Sequence, residues 1–328
     1  MFTSEQKREY FYEEADVALY DPNMRMRTLM RGMLLTIGFR AINEARNADE
    51  VVGIMKVNAI DLLIVDLDNE PDQICSVVRD IREGVVGANP YIVIIGLTWK
   101  PEKDMISRSL RTGLDDLIAK PISPKILSER ATNLIRNRKK FVVTPDYIGP
   151  DRRGRERQIE GDLDPIKVPN TLRHKAIGDK KAVADTQALD AMQHLVNTHR
   201  IYRLAKEISG ESERLENEVG VSKDGRAPSW NYRDMTQKIT TVSQLIAAEK
   251  IEILGPIAES MQAAIKSMYA AEQPSARHFS IMRLHGDAIG EAIKDERAAA
   301  RLIALALKEA VQIKVFCKAA KPARKTAA

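Results

Sequence analysis

Four polar side chains in the first part of the chain are of types that could handle a phosphoryl group. Asp21 follows VALY, Asp66 follows LLIV, Thr98 ends YIVIIGLT, and Lys120 follows DDLIA immediately before Pro121. Carboxylate oxygens are the hard ligands that Mg²⁺ prefers, and an ammonium offsets phosphoryl charge. An aspartate can also be the nucleophile that accepts the phosphoryl group. Such chemistry requires side chains far apart in sequence to meet in one crevice.

The elements that could bring them together show as alternation. From Val17 to about Arg138, short apolar runs (VALY, FRAINEA, IDLLIVD, YIVIIGL, DDLIA) alternate with amphipathic segments. The consecutive apolar residues Leu62 to Val65 read as a strand buried on both faces, as in a parallel sheet. Five strands, each followed by a helix, predict a parallel sheet with helices on both faces. Right-handed crossovers then carry the carboxyl ends of the strands to one edge, where ligands gather in such sheets.

Composition narrows the class. The chain has 328 residues, enough for two domains, and is 44% hydrophobic. Its two cysteines, Cys75 and Cys317, exclude a disulfide framework or a cysteine-rich metal site. No apolar run reaches bilayer length and the N-terminus is charged, so no membrane span and a cytoplasmic location are expected. A net charge of +5 with 30% charged residues is a mild basic excess that permits nucleic-acid contact without requiring it.

Residues 16–138 resemble the receiver domain of two-component response regulators, through LYDPNMRMR, LLIVDLDNEPD, VIIGLT and LRTGLDDLIAKP. The resemblance implies a flavodoxin-like five-stranded parallel sheet. It implies Asp66 as phosphoacceptor, Thr98 as switch hydroxyl and Lys120 as phosphate-binding lysine. Mg²⁺ would be held by Asp21, Asp66 and the backbone carbonyl of Asp68, whose side chain reads as an ordinary loop acid. The implied donor is a sensor histidine kinase or phosphotransfer protein. No enzymatic activity is implied beyond the receiver's own phosphorylation and dephosphorylation.

Two residues depart from the family pattern. Tyr20 stands where the first of two adjacent acids is usual, which should weaken Mg²⁺ binding. Leu117 stands where an aromatic often couples to the switch hydroxyl. Both leave open a receiver-shaped scaffold that no longer switches. A blander alternative is that each acid merely ends a strand or caps a helix.

The fold class is therefore α/β plus all-α, with the sheet domain followed by a linker and a helical bundle. Boundaries are expected at 1–15 (N-terminal extension), 16–140 (receiver), 141–181 (basic linker, with one short extended piece at FVVT), 182–317 (helical domain) and 318–328 (basic disordered tail). Arg152, Arg153, Arg155 and Arg157 could meet phosphates of a nucleic acid, but a solvated linker is the better reading.

Beyond Ala182 the spacing predicts helices over Val183 to Ile208, Tyr232 to Leu254, Pro256 to about Glu272, Ser275 to Ile293 and Ala298 to Phe316. The first is expected to bury two faces, one carrying Leu189, Met192, Leu195, Val196, His199 and Tyr202, the other Ile201, Leu204 and Ile208. His199 reads as a packed core residue. None of His194, His199, His278 or His285 has the context of a phosphotransfer histidine. The bundle is compatible with a homodimer and with an output partner that the sequence does not name.

Overall fold

The computed structural model describes residues 10–152, 163–179, 186–222, 229–270, 274–295, 299 and 301–310. Strands β1 (Asp16–Tyr20), β2 (Ala41–Ala45), β3 (Leu62–Asp66), β4 (Val93–Thr98) and β5 (Asp116–Ala119) form a parallel sheet in the order β2-β1-β3-β4-β5. Helices α1 (Met24–Ile37), α2 (Ala48–Val57), α3 (Pro71–Arg82), α4 (Lys103–Leu110) and α5 (Pro124–Asn137) supply the crossovers. The sheet is flavodoxin-like, as predicted. Central β3 and β4 are buried at every residue, whereas edge strands β2 and β5 are only partly covered. Alternation sorts the side chains: Val17, Leu19, Leu62 and Ile64 join Leu34 and Leu127 in one core layer, while Ala18, Leu63 and Val65 join Val51 and Val78 in the other.

Residues 141–179 differ from the predicted linker. FVVT is indeed extended, but as β6 (Phe141–Thr144), paired antiparallel with β7 (Tyr147–Pro150) and bridged to Ile166. Helix α6 (Thr171–Ala176) inserts Leu172 and Ala176 into the first core layer, and Lys175 pairs with Asp16 at 2.8 Å and Asp61 at 2.7 Å. Phe141 is fully buried, with the guanidinium carbons of Arg82 and Arg138 at 5.2 and 5.0 Å from its ring centroid. These long-range partners compensate for a segment too short and too rich in Pro and Gly to show periodicity.

The hairpin sits tightly on Gly113. That residue has φ +98°, and a Cβ there would stand 2.5 Å from the Ile148 carbonyl oxygen and 2.9 Å from Arg82 Cγ. Gly113→Ala should therefore cost roughly 1–3 kcal/mol of stability. Chemical denaturation would measure it; an unchanged midpoint would mean that the hairpin is not docked there. Arg152 donates to the Leu114 carbonyl at 2.5 Å, so it serves this packing; Arg153, Arg155 and Arg157 lie outside the described residues.

The C-terminal unit begins within α7 (Thr186–Val221) and continues through α8 (Tyr232–Ala248), a 3₁₀ turn at Glu252–Leu254, α9 (Gly255–Ala270), α10 (Ala276–Lys294) and helical residues 301–310. Helix α8 stops before the predicted Leu254 because Lys250 adopts φ +54°. The predicted 182–185, 311–317 and 318–328 lie outside the described residues. Helix α7 extends well past Ile208, and its faces are unequal. Ile201, Leu204, Ala205, Ile208 and Leu215 are buried in the bundle core, whereas Leu195 is exposed and His199 only half-buried. The first predicted face is closed only in part: Val196 and Tyr202 are buried, as expected, while Leu195 and His199 are not.

The buried histidine is His285. Its Nδ1 donates to the Ile281 carbonyl at 2.6 Å, which leaves Nε2 to accept Ser260 Oγ–H at 2.9 Å. Burial holds its pKa below the ordinary histidine value. Met235, Met261, Met268 and Met282 all fill the core. Trp230 packs edge-on against Phe279 at 5.2 Å. Lys238 joins α7 to α8 through Glu207 (2.9 Å) and Glu211 (2.8 Å), and these carboxylates with Asp234 raise its pKa against the effect of burial. Among the described residues no helix is long and apolar enough to cross a membrane.

Candidate functional site

The four predicted residues lie at the carboxyl ends of β1, β3, β4 and β5. Asp66, the last residue of β3, is fully buried. Its Oδ1 is ion-paired with Lys120, and its Oδ2 accepts Asn69 N–H at 3.2 Å and Asn69 Nδ2–H at 2.8 Å. Lys120, one residue beyond β5, also stands 3.2 Å from Asp68 Oδ2 and 3.8 Å from Asp21 Oδ2. Three carboxylates thus face one ammonium.

Asp21 is placed by the turn between β1 and α1. Its Oδ1 accepts Asn23 N–H at 2.8 Å, Asn23 caps α1, and Arg27 reaches back to the Asp21 carbonyl at 2.7 Å. Its Oδ2 is buried without a hydrogen-bond partner among the described residues. Burial raises the Asp21 pKa, and the neighbouring Asp66 carboxylate adds to the rise. A buried carboxylate oxygen that accepts no hydrogen bond, beside a second carboxylate, is the donor chemistry that Mg²⁺ takes. Among the described residues no group of three or more His, Cys, Asp or Glu side chains is arranged to hold a metal ion. A cation here would therefore rest on Asp21, Asp66, a backbone carbonyl and water, which suits an ion that keeps several waters.

Tyr20 cannot replace the missing acid. Its ring is buried in the second core layer, and burial, then Glu70, Asp66 and Asp21, push its pKa up to about 12. The phenol stays protonated at neutral pH. Leu117 is half-buried against the same layer.

Thr98 ends β4 with its hydroxyl turned into the crevice, donating to Asp68 Oδ1 at 2.8 Å and accepting Lys100 N–H at 3.0 Å. Asp68 is therefore more than the loop acid expected from sequence. Its carboxylate takes Thr98, Lys120 and the Trp99 amide (2.9 and 3.0 Å), and although burial opposes it, these bonds hold its pKa below the usual carboxylate value. Sequence reasoning also missed Asn69, which orients Asp66, and Trp99, 52% exposed, whose ring centroid lies 5.8 Å from Lys120 Nζ. A large aromatic directly after Thr98 was the one visible signal for Trp99.

The sequence pattern of the family described as response regulator receiver domain matches residues 17–132. Those residues are a receiver domain. The curated transcriptional regulatory protein ResD of Bacillus subtilis (strain 168) is 35% identical over 123 residues, covering 38% of this chain and 49% of that protein. The chain thus spans about half the length of that relative. Among solved structures, a response regulator from Thermotoga maritima is 25% identical, covering 37% of this chain and 97% of that one, with a TM-score of 0.33. The Vibrio cholerae chemotaxis protein CheY4 is 17% identical, covering 36% and 97%, also with a TM-score of 0.33. The matched receiver region takes in Asp21, Asp66, Asp68, Thr98 and Lys120, and stops before the docked hairpin.

Proposed function

We propose that the receiver domain accepts a phosphoryl group on Asp66, in the cytoplasm, from a histidine kinase or phosphotransfer protein. The helical region then passes the signal on as a protein-interaction or dimerisation domain. The observation that supports this best is the convergence of Asp21, Asp66 and Lys120 from three strand ends, with Thr98 linked to Lys120 through Asp68. An Asp66 carboxylate oxygen attacks phosphorus. The donor P–N bond breaks, its electron pair passes to the imidazole, and an acyl phosphate forms. Asn69 and Lys120 hold the carboxylate in place, and Lys120 offsets the charge that develops. Bound Mg²⁺, held by Asp21, Asp66 and the Asp68 carbonyl, would neutralise phosphoryl oxygens. The added charge draws the Thr98 hydroxyl and biases the face around it, which the helical unit reads as a change of partner or oligomeric state.

Incubation with Mg²⁺ and radiolabelled acetyl phosphate should give an alkali-labile label on the folded chain. Its absence would end the reading. The neutral Tyr20 favours a second reading, a non-switching scaffold, which predicts no binding of Mg²⁺ or beryllofluoride.

A further inference from the structure

The donors that converge on Asp68 are those a phosphoryl group on Asp66 would need. Asp68 Oδ1 accepts Thr98 Oγ1–H at 2.8 Å and Trp99 N–H at 2.9 Å. Oδ2 accepts Trp99 N–H at 3.0 Å and Lys120 Nζ–H at 3.2 Å. A hydroxyl, a backbone amide and an ammonium close on one anion whose side chain is only 14% exposed. A phosphoryl group presents three strong acceptor oxygens and is held by such charge-assisted donors. Lys120 bonds Asp66 and Asp68 alike, so an anion built on Asp66 competes with the Asp68 carboxylate for the same ammonium.

We propose that the Asp68 carboxylate is an internal occupant of the phosphoryl-binding position. A phosphoryl group arriving on Asp66 must displace it from Thr98, Trp99 and Lys120. This slows uptake, and once displaced its negative charge destabilises the acyl phosphate. Asp68 acts as a positioning residue that sets how readily the receiver domain charges and how long it stays charged. The proposal rests on the reading of Asp66 as acceptor.

The test is Asp68→Asn in the full chain at saturating Mg²⁺. The amide keeps an acceptor for the Trp99 N–H but removes the charge. Beryllofluoride affinity, measured by calorimetry, should rise about tenfold or more, and the rate of labelling by acetyl phosphate should rise with it. Asp68→Ser should move both in the same direction. A purely structural role for the loop predicts the opposite sign, weaker binding in both variants. The Trp99 amide resonance gives a readout independent of transfer: beryllofluoride should shift it in the wild type as Asp68 leaves. Wild-type binding with no gain in either variant would overturn the role of Asp68 alone. Failure of wild type and variants alike to bind or label would overturn the Asp66 reading and this inference with it. Binding gained only in the variants would support the proposal in its strongest form.

Discussion

Asp115→Ala should cost about 3–5 kcal/mol of stability. Among the described residues Asp115 is the carboxylate that pairs with two buried guanidiniums: its Oδ2 with Arg82 Nη2 at 2.8 Å and its Oδ1 with Arg138 Nε at 2.7 Å. Arg82 also donates to the carbonyls of Gly113 (2.9 Å), Pro90 (2.6 Å) and Ile92 (2.8 Å), and Arg138 donates to those of Tyr91 (2.5 Å) and Ile92 (2.9 Å). Burial lowers the Arg82 pKa to about 10, so it remains charged at neutral pH. Without Asp115, two cations beneath Phe141 would share no counter-charge, and the docked hairpin would loosen.

The pH dependence follows from the sign of the shift. Burial would raise the Asp115 pKa, but Arg138 and Arg82 outweigh it and hold it below the ordinary carboxylate value. Its contribution is thus complete above about pH 4 and is lost only as pH falls through the depressed folded value. Urea denaturation of wild type and variant should show a constant gap from neutral pH down to about pH 5 that narrows only on stronger acidification. A gap below about 1 kcal/mol at neutral pH would show that the network does not anchor the hairpin.

Asp66→Asn should reduce phosphoryl uptake by about three orders of magnitude or more, to background. The amide offers no anionic oxygen to form an acyl phosphate, and its replacement also leaves Lys120 without its closest counter-charge. Asp21→Asn should label more weakly than wild type at limiting Mg²⁺ and recover as Mg²⁺ is raised, because it removes the buried oxygen left for the cation. Equal labelling of Asp66→Asn and wild type would remove Asp66 from the chemistry.

The receiver sheet was legible because its central strands are buried on both faces, so LLIV and VIIGL carry a strong local signal ending in polar residues. Asp21, Asp66, Thr98 and Lys120 were legible for the same reason. The hairpin at 141–150 and helix α6 were not, since their stability comes from Arg82, Gly113 and Asp61, all distant in sequence. The Asp68 carboxylate was misjudged on the same ground: nothing near it in sequence shows that Thr98 and Lys120 fold onto it. In α7, apolar residues at helical spacing mark two faces, and spacing does not show that Leu195 and His199 stay open where Val196 and Tyr202 are buried.

Borohydride reduction of the chain charged with acetyl phosphate, followed by peptide mass mapping, tests the central claim most directly, because it converts an aspartyl phosphate to homoserine where it stands. The account predicts homoserine at position 66 and unmodified aspartate at positions 21 and 68. Homoserine at either of those positions, or at none, would contradict it.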